Sequence, residues 1–201
     1  LRKYDLRLKY WTSEKDKGHR YALQNGFARA TGDIVAWQNA DDYYEPNVFG
    51  AAMEVFERHP EVDLVYGNVR LVDEHCRPCG ELRFVPTNHW SMLFEGFTMH
   101  NQAAFFRRQL WDRMGGITFE DCLLFDYDLF IRATKHANKV HYIHKTLGNY
   151  RSHGGSMTFG GSVDSLRSDP WVTLRRYMRR TWALMPRWVV NPLMLASVAR
   201  R

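Results

Sequence analysis

Apolar and polar side chains alternate over residues 5–11, the period of a half-buried strand, and a polar loop follows at 13–18. From 19 to 30 the period changes. Ala22, Leu23, Gly26, Phe27 and Ala30 recur at three- and four-residue steps, which predicts a helix stopped by Thr31, Gly32 and Asp33. Ile34, Val35, Ala36 and Trp37 form a short apolar run, read as a buried strand that delivers Gln38, Asn39, Ala40, Asp41 and Asp42 at its C-terminal end. Open α/β sheets bind ligands at that edge. Val48, Ala51, Ala52, Val55 and Phe56 mark one face of a helix over 47–59, ended by Pro60.

The pattern then returns to strands. Residues 63–68 are strand-like, and 69–73 continue that strand or begin its neighbour; a turn at 76–80 leads into 81–85 and completes a hairpin. Residues 86–100 are aromatic and irregular, predicting a loop over a site with a short helix at 89–95. A strand at 103–106, a helix from 108 to 114 closed by Gly115 and Gly116, a helix at 126–136 burying Tyr127, Leu129, Phe130 and Ala133, and short strands at 140–143 and 147–150 complete the order. Strands alternating with helices through short links predict an α/β fold with a mixed sheet.

Composition bounds the domain count. The 201 residues are 45% hydrophobic and 25% charged, enough for one core and an appendage: residues 1–160 as the α/β domain and 161–201 as a basic amphipathic helical tail. The net charge of +6 changes meaning once located, because residues 170–201 hold seven arginines and no acid, leaving 21 basic against 22 acidic residues elsewhere. The body is near neutral, which argues against a nucleic-acid groove, while the tail suits peripheral contact with an anionic membrane or packing on a partner. Residues 182–198 are apolar but interrupted by Pro186, Arg187, Asn191 and Pro192, a poor match to the roughly 20-residue apolar run of a membrane span. Three cysteines, Cys76, Cys79 and Cys122, with no signal-peptide pattern fit a reducing, cytoplasmic setting. His75 beside Cys76 and Cys79 could supply three ligands where structural zinc needs four, so a polar turn is expected there.

Three clusters carry candidate chemistry: Asp16, Lys17 and Gly18 with Asn25 and Gly26 downstream; Asn39, Ala40, Asp41 and Asp42; and Asp126, Tyr127, Asp128 and Leu129 with Arg132. In order and spacing they resemble the donor-binding, metal-binding and base motifs of the family 2 inverting glycosyltransferases of GT-A fold. The run 101–108 (Asn-Gln-Ala-Ala-Phe-Phe-Arg-Arg) and Gly115, Gly116 and Ile117 ahead of Asp126 extend the resemblance, which covers roughly residues 5–158. It implies a nucleotide-diphospho-sugar transferase with a Rossmann-like mixed sheet flanked by helices. The family's first strands are missing from these residues, so the first strand and the donor-base pocket are expected upstream of residue 1, and this stretch alone is expected to bind donor poorly.

The resemblance also implies roles. Asp41 is the expected ligand of a divalent cation, Mn²⁺ or Mg²⁺, which neutralises the charge growing on a departing nucleoside diphosphate. Asn39 stands where the family's Asp-x-Asp motif has its first aspartate and is left to hydrogen-bond ribose or diphosphate. Asp126 matches the catalytic base that takes the acceptor hydroxyl's proton. Asp16, Lys17, Gly18 and Asn25 fall on the donor side; Gln102 and Asp128 fall on the acceptor side, Asp128 with a capping alternative; His153 falls in a loop that contacts diphosphate or metal. The implied partners are a UDP-sugar donor and a glycan or lipid-linked acceptor of cell-envelope polysaccharide synthesis. Two other readings stay open: a metal-dependent phosphotransferase or nuclease built on Asp41, Asp42 and Asp126, and a non-catalytic docking module acting through the basic tail.

Overall fold

The computed structural model describes residues 7–118 and 125–154. The N-terminal six residues, Cys122, and the tail expected over 161–201 lie outside the described residues. Twelve-residue β6 (Val140–Arg151) and nine-residue β3 (Leu64–Val72) run parallel and form the spine of the sheet. β5 (Ala104–Arg107) and β4 (Pro78–Leu82) pair antiparallel with β3, β1 (Ile34–Val35) pairs antiparallel with β5, and β2 (Tyr43–Tyr44) pairs antiparallel with β6. The strand order is β1-β5-β3-β6-β2, with β4 also on β3, so the sheet is mixed as the alternation of elements predicts.

Helices cover both faces because strand side chains alternate between them. On one face Leu64, Tyr66 and Phe106 meet α4 (Arg108–Arg113) and α5 (Phe125–His136), with the rings of Trp37, Phe106 and Phe130 stacked at 5.9–6.3 Å between centroids. α1 (His19–Arg29) adds Phe27, stacked on Trp111 at 3.7 Å. On the other face α2 (Val48–Arg58) buries Val48, Ala52 and Phe56 against Val65, Val69, Phe105 and Leu147. β1 splits between them: Val35 and Trp37 enter the first core, Ile34 and Ala36 pack on the second.

Three details differ from the pattern. Residues 7–11 form no strand: Leu8 and Tyr10 are exposed, and the segment is held by Lys9 Nζ donating to Thr31 Oγ1 at 2.9 Å and by the Arg29 guanidinium 4.4 Å above the Tyr10 ring. Alternation needs a neighbouring strand to become a ladder, and none of the described strands pairs with it. The hairpin turn sits earlier than 76–80, because Asp73 closes it, Oδ1 accepting from the backbone N–H of His75 and Arg77 at 2.9 Å each. Cys76 occupies this turn at φ 64° and Cys79 lies in β4, both exposed. The two strands expected over 140–150 are one, β6, whose register on β3 slips between Gly67 and Asn68. A Cβ at Gly67 would stand 2.5 Å from Leu147 Cγ, so the bulge requires glycine opposite it.

Among the described residues β1 pairs on one side only, and apolar hollows of about 260 and 410 Å³ flank it, the larger bordered by exposed Phe49 and Met53. No helix among the described residues is long and apolar enough to cross a membrane.

Candidate active site

The site gathers where β1 ends. The chain leaves Trp37, turns through residues 38–42 with Asp42 N–H donating to Asn39 O at 3.2 Å, and enters β2. The two aspartates of this turn part company. Asp42 is directed inward: its Oδ2 accepts from Asn39 Nδ2 at 2.9 Å and Gln102 Nε2 at 2.8 Å, and its Oδ1 accepts from the Arg151 backbone N–H at 2.9 Å. Asp41 stays 41% exposed, with its Oδ2 3.0 Å from His153 Nε2.

Gln102 comes from the turn Asn101–Ala103 that opens β5 and is 2% exposed. β6 crosses this turn so closely that a Cβ on Gly148 would lie 1.9 Å from Gln102 O; only glycine permits the crossing. His153 follows the end of β6, so the parallel spine delivers it to Asp41.

The donor-side loop is shaped locally. Asp16 Oδ1 accepts from the Gly18 N–H at 2.8 Å, and Gly18 holds φ 112°, a conformation L side chains disfavour. Lys17 is exposed, its Nζ 5.7 Å from the Tyr21 ring centroid. Asn25 lies on an exposed part of α1, its carbonyl accepting from Arg29 Nη1 at 2.9 Å. His19, which the sequence pattern does not single out, joins the clusters. Burial pulls its imidazole below the ordinary range, while nearby Asp16 and Asp41 oppose that shift. Its ring packs edge-on to Phe125 at 5.4 Å, one residue before Asp126. A lone histidine carries no sequence signal; its only cue is its place behind Gly18.

Asp126 opens α5, and its Oδ1 accepts from the Tyr127 N–H at 2.9 Å. Burial pushes its carboxyl above the usual aspartate range, against the lowering effect of that hydrogen bond. Tyr127 anchors the helix start: its hydroxyl donates to Met92 O in α3 (His89–Glu95), and its ring lies 4.7 Å from Phe97. Phe97 and Phe84 flank His100 at 5.2 and 5.6 Å, and burial pushes that imidazole down to about 4, leaving it neutral.

Asp128 is engaged within the fold. Its Oδ2 accepts from Thr118 Oγ1 at 3.0 Å and Arg132 Nε at 2.8 Å, and Arg132 Nη1 donates to Met114 O and Gly116 O at 2.7 Å each. The pair thereby clamps a turn in which Gly115 and Gly116 both hold positive φ, 77° and 63°. The reason is helical geometry: residues 128 and 132 stack on one face of α5, away from Asp126.

Asp41 and His153 present one carboxylate and one imidazole. Among the described residues no group of three or more His, Cys, Asp or Glu converges as a metal cage. Mg²⁺ and Mn²⁺ sites that share the cation with substrate phosphates need only one or two protein ligands, so the pair fits such an ion.

Comparison with known proteins bears on family and fold. The chain is 28% identical over 177 residues to a PGL/p-HBAD biosynthesis glycosyltransferase of Mycobacterium tuberculosis, across 87% of this chain and 66% of that protein. It is 22% identical over 228 residues to an uncharacterized glycosyltransferase of Nostoc, across 90% and 69% respectively. In fold it resembles S. aureus TarS crystallised with UDP-GlcNAc, at a TM-score of 0.59 and 17% identity over 77% of this chain and 46% of that one. The chain thus spans about two thirds of the length of the curated relatives it matches first. The model described as glycosyl transferase family 2 matches residues 1–120, and the chain belongs to that family.

Proposed function

We propose that the site transfers a sugar from a nucleoside diphosphate sugar to an acceptor hydroxyl with inversion. The observation that supports this best is the place of His19 at the start of α1: its ring packs on Phe125, the residue before Asp126, and its imidazole lies near enough to Asp16 and Asp41 for their charges to oppose the effect of burial, so the cation-type and base-type carboxylates approach one helix start. Asp41 and His153 would hold a divalent ion, Mn²⁺ or Mg²⁺, whose chemistry there would be Lewis-acid charge neutralisation of the diphosphate. Lys17 and the N-terminus of α1 add positive potential on the donor side, with Asp16 and Gly18 shaping the loop. Asn39 is locked through its amide nitrogen on Asp42, and its Oδ1 is buried without a hydrogen-bond partner among the described residues, an acceptor that a ribose hydroxyl would reach only by displacing what covers it.

Asp126 is the base. The acceptor oxygen forms its bond to the anomeric carbon as the bond from that carbon to phosphate oxygen breaks on the opposite face. The hydroxyl proton passes to the Asp126 carboxylate, and the nucleoside diphosphate leaves with the electron pair. A carboxyl raised by burial is a better proton acceptor than an ordinary aspartate. The wall of Phe84, Phe97 and His100 borders the acceptor side. The UDP-GlcNAc complex of TarS, a neighbour in fold, favours a uridine nucleotide as donor; the acceptor is proposed to be a glycan or lipid-linked hydroxyl.

Replacing Asp126 by Asn in the full-length protein tests the reading. Turnover of a UDP-sugar is expected to fall about 10²- to 10⁴-fold while calorimetric UDP affinity stays at the wild-type value. Wild-type turnover in Asp126→Asn would remove the base and with it the proposal.

A further inference from the structure

Asp42 stands beside the proposed cation carboxylate, yet its oxygens are already engaged. An ionised carboxylate only accepts hydrogen bonds, so the two amides facing it must do so through nitrogen. The three donors are one local and two distant: Asn39 in the same turn, Gln102 sixty residues on, and the Arg151 N–H at the end of β6. Arg151 lies two residues before His153, and Asn39 two before Asp41. Each of the two groups proposed to hold the cation therefore hangs from a segment tied to Asp42.

We infer that Asp42 is a positioning residue: it knots the 38–42 turn, the Asn101–Ala103 turn and the end of β6 into one unit, and so holds Asp41 and His153 in register to share a divalent ion with the donor diphosphate. The two neighbouring aspartates have divided labour, Asp41 outward to the ion and Asp42 inward to the scaffold. The close crossing of Gly148 over Gln102 O fixes the third corner of the knot from the other side. Gln102 is the middle residue of its turn and 2% exposed, so the knot ties that turn to the cation side from within the fold. The inference rests on the reading of Asp41 and His153 as cation ligands.

The test is Mn²⁺ binding to the full-length protein in the presence of UDP, read as the free-Mn²⁺ signal by electron paramagnetic resonance, independently of turnover. Asp42→Ala is expected to raise the half-saturating Mn²⁺ concentration at least tenfold. Asp42→Asn, which keeps an acceptor for the Arg151 N–H, is expected to raise it about threefold. Val62→Ala, in the second core, serves as a control: it lowers Tm and leaves the half-saturation point unchanged. Wild-type half-saturation in Asp42→Ala, or in Asp42→Asn should the alanine variant not fold, overturns the positioning role alone. An equal shift in Val62→Ala overturns it as well, since the effect would then follow stability. Failure of the wild-type protein to take up Mn²⁺ with UDP would overturn both this inference and the cation reading beneath it.

Discussion

α5 buries Tyr127, Leu129, Phe130, Ile131, Ala133 and Thr134, whereas α1 buries no residue and touches the core through the half-buried Leu23, Phe27 and Ala30. Both helices carry proposed site residues at their N-termini, but the two ends are held by different means. Asp126 is set by a helix embedded in the aromatic core and pinned by Tyr127 and the Asp128–Arg132 pair. Asp16, Lys17 and Gly18 are set by short-range hydrogen bonds in an exposed loop. The base side is therefore coupled to global stability, and the donor side is coupled mainly to local backbone conformation.

Paired truncations break this contrast if it is wrong. Leu129→Ala, at a fully buried position, is expected to cost ~2–5 kcal/mol in denaturant unfolding. Leu23→Ala on half-buried α1 is expected to cost about 1 kcal/mol. Equal losses would mean that α1 is as deeply integrated as α5.

A second measurement sharpens the base side. Because burial raises the Asp126 carboxyl in the folded state, the folded chain holds that proton more tightly than the unfolded chain. The corresponding stability is present below the ordinary aspartate range and is lost as pH rises through the folded pKa. Asp126→Asn never ionises, so its Tm is expected to match wild type in acid and to exceed it increasingly as pH rises above about 4. A Tm difference that shrinks with rising pH would reverse the sign of the shift. The smallest effect belongs to the donor loop. Lys17→Ala is expected to weaken UDP binding roughly fivefold, about 1 kcal/mol, with unfolding free energy unchanged within ~0.5 kcal/mol.

The same contrast marks what can be read from residues alone. α2 and α5 are legible because their apolar stripes repeat within the helix, and Gly115 and Gly116 announce the stop between α4 and α5. Asp41 and Asp126 stand out through their motifs. The two-residue β2 is not legible, since Tyr43 and Tyr44 become a strand only by meeting Asn149 and Gly148. β6 reads as two strands because the bulge that breaks its pattern is made by Gly67 and Leu147, eighty residues apart in the chain. Residues 7–11 show the reverse error: a strand pattern with no described partner remains loop. The engagement of Asp42 depends on donors at 102 and 151, so the motif marks Asp41 but leaves the role of Asp42 open until the chain is folded.

Gly148 carries a last consequence. With a carbonyl 1.9 Å from where a methyl group would sit, the two main chains there are separated by hydrogen atoms alone. The strand and the turn beneath it cannot slide independently, and they act as a single lever. A displacement at the end of β6 would therefore be carried to residue 102 through main chain, with no side chain between them to absorb it.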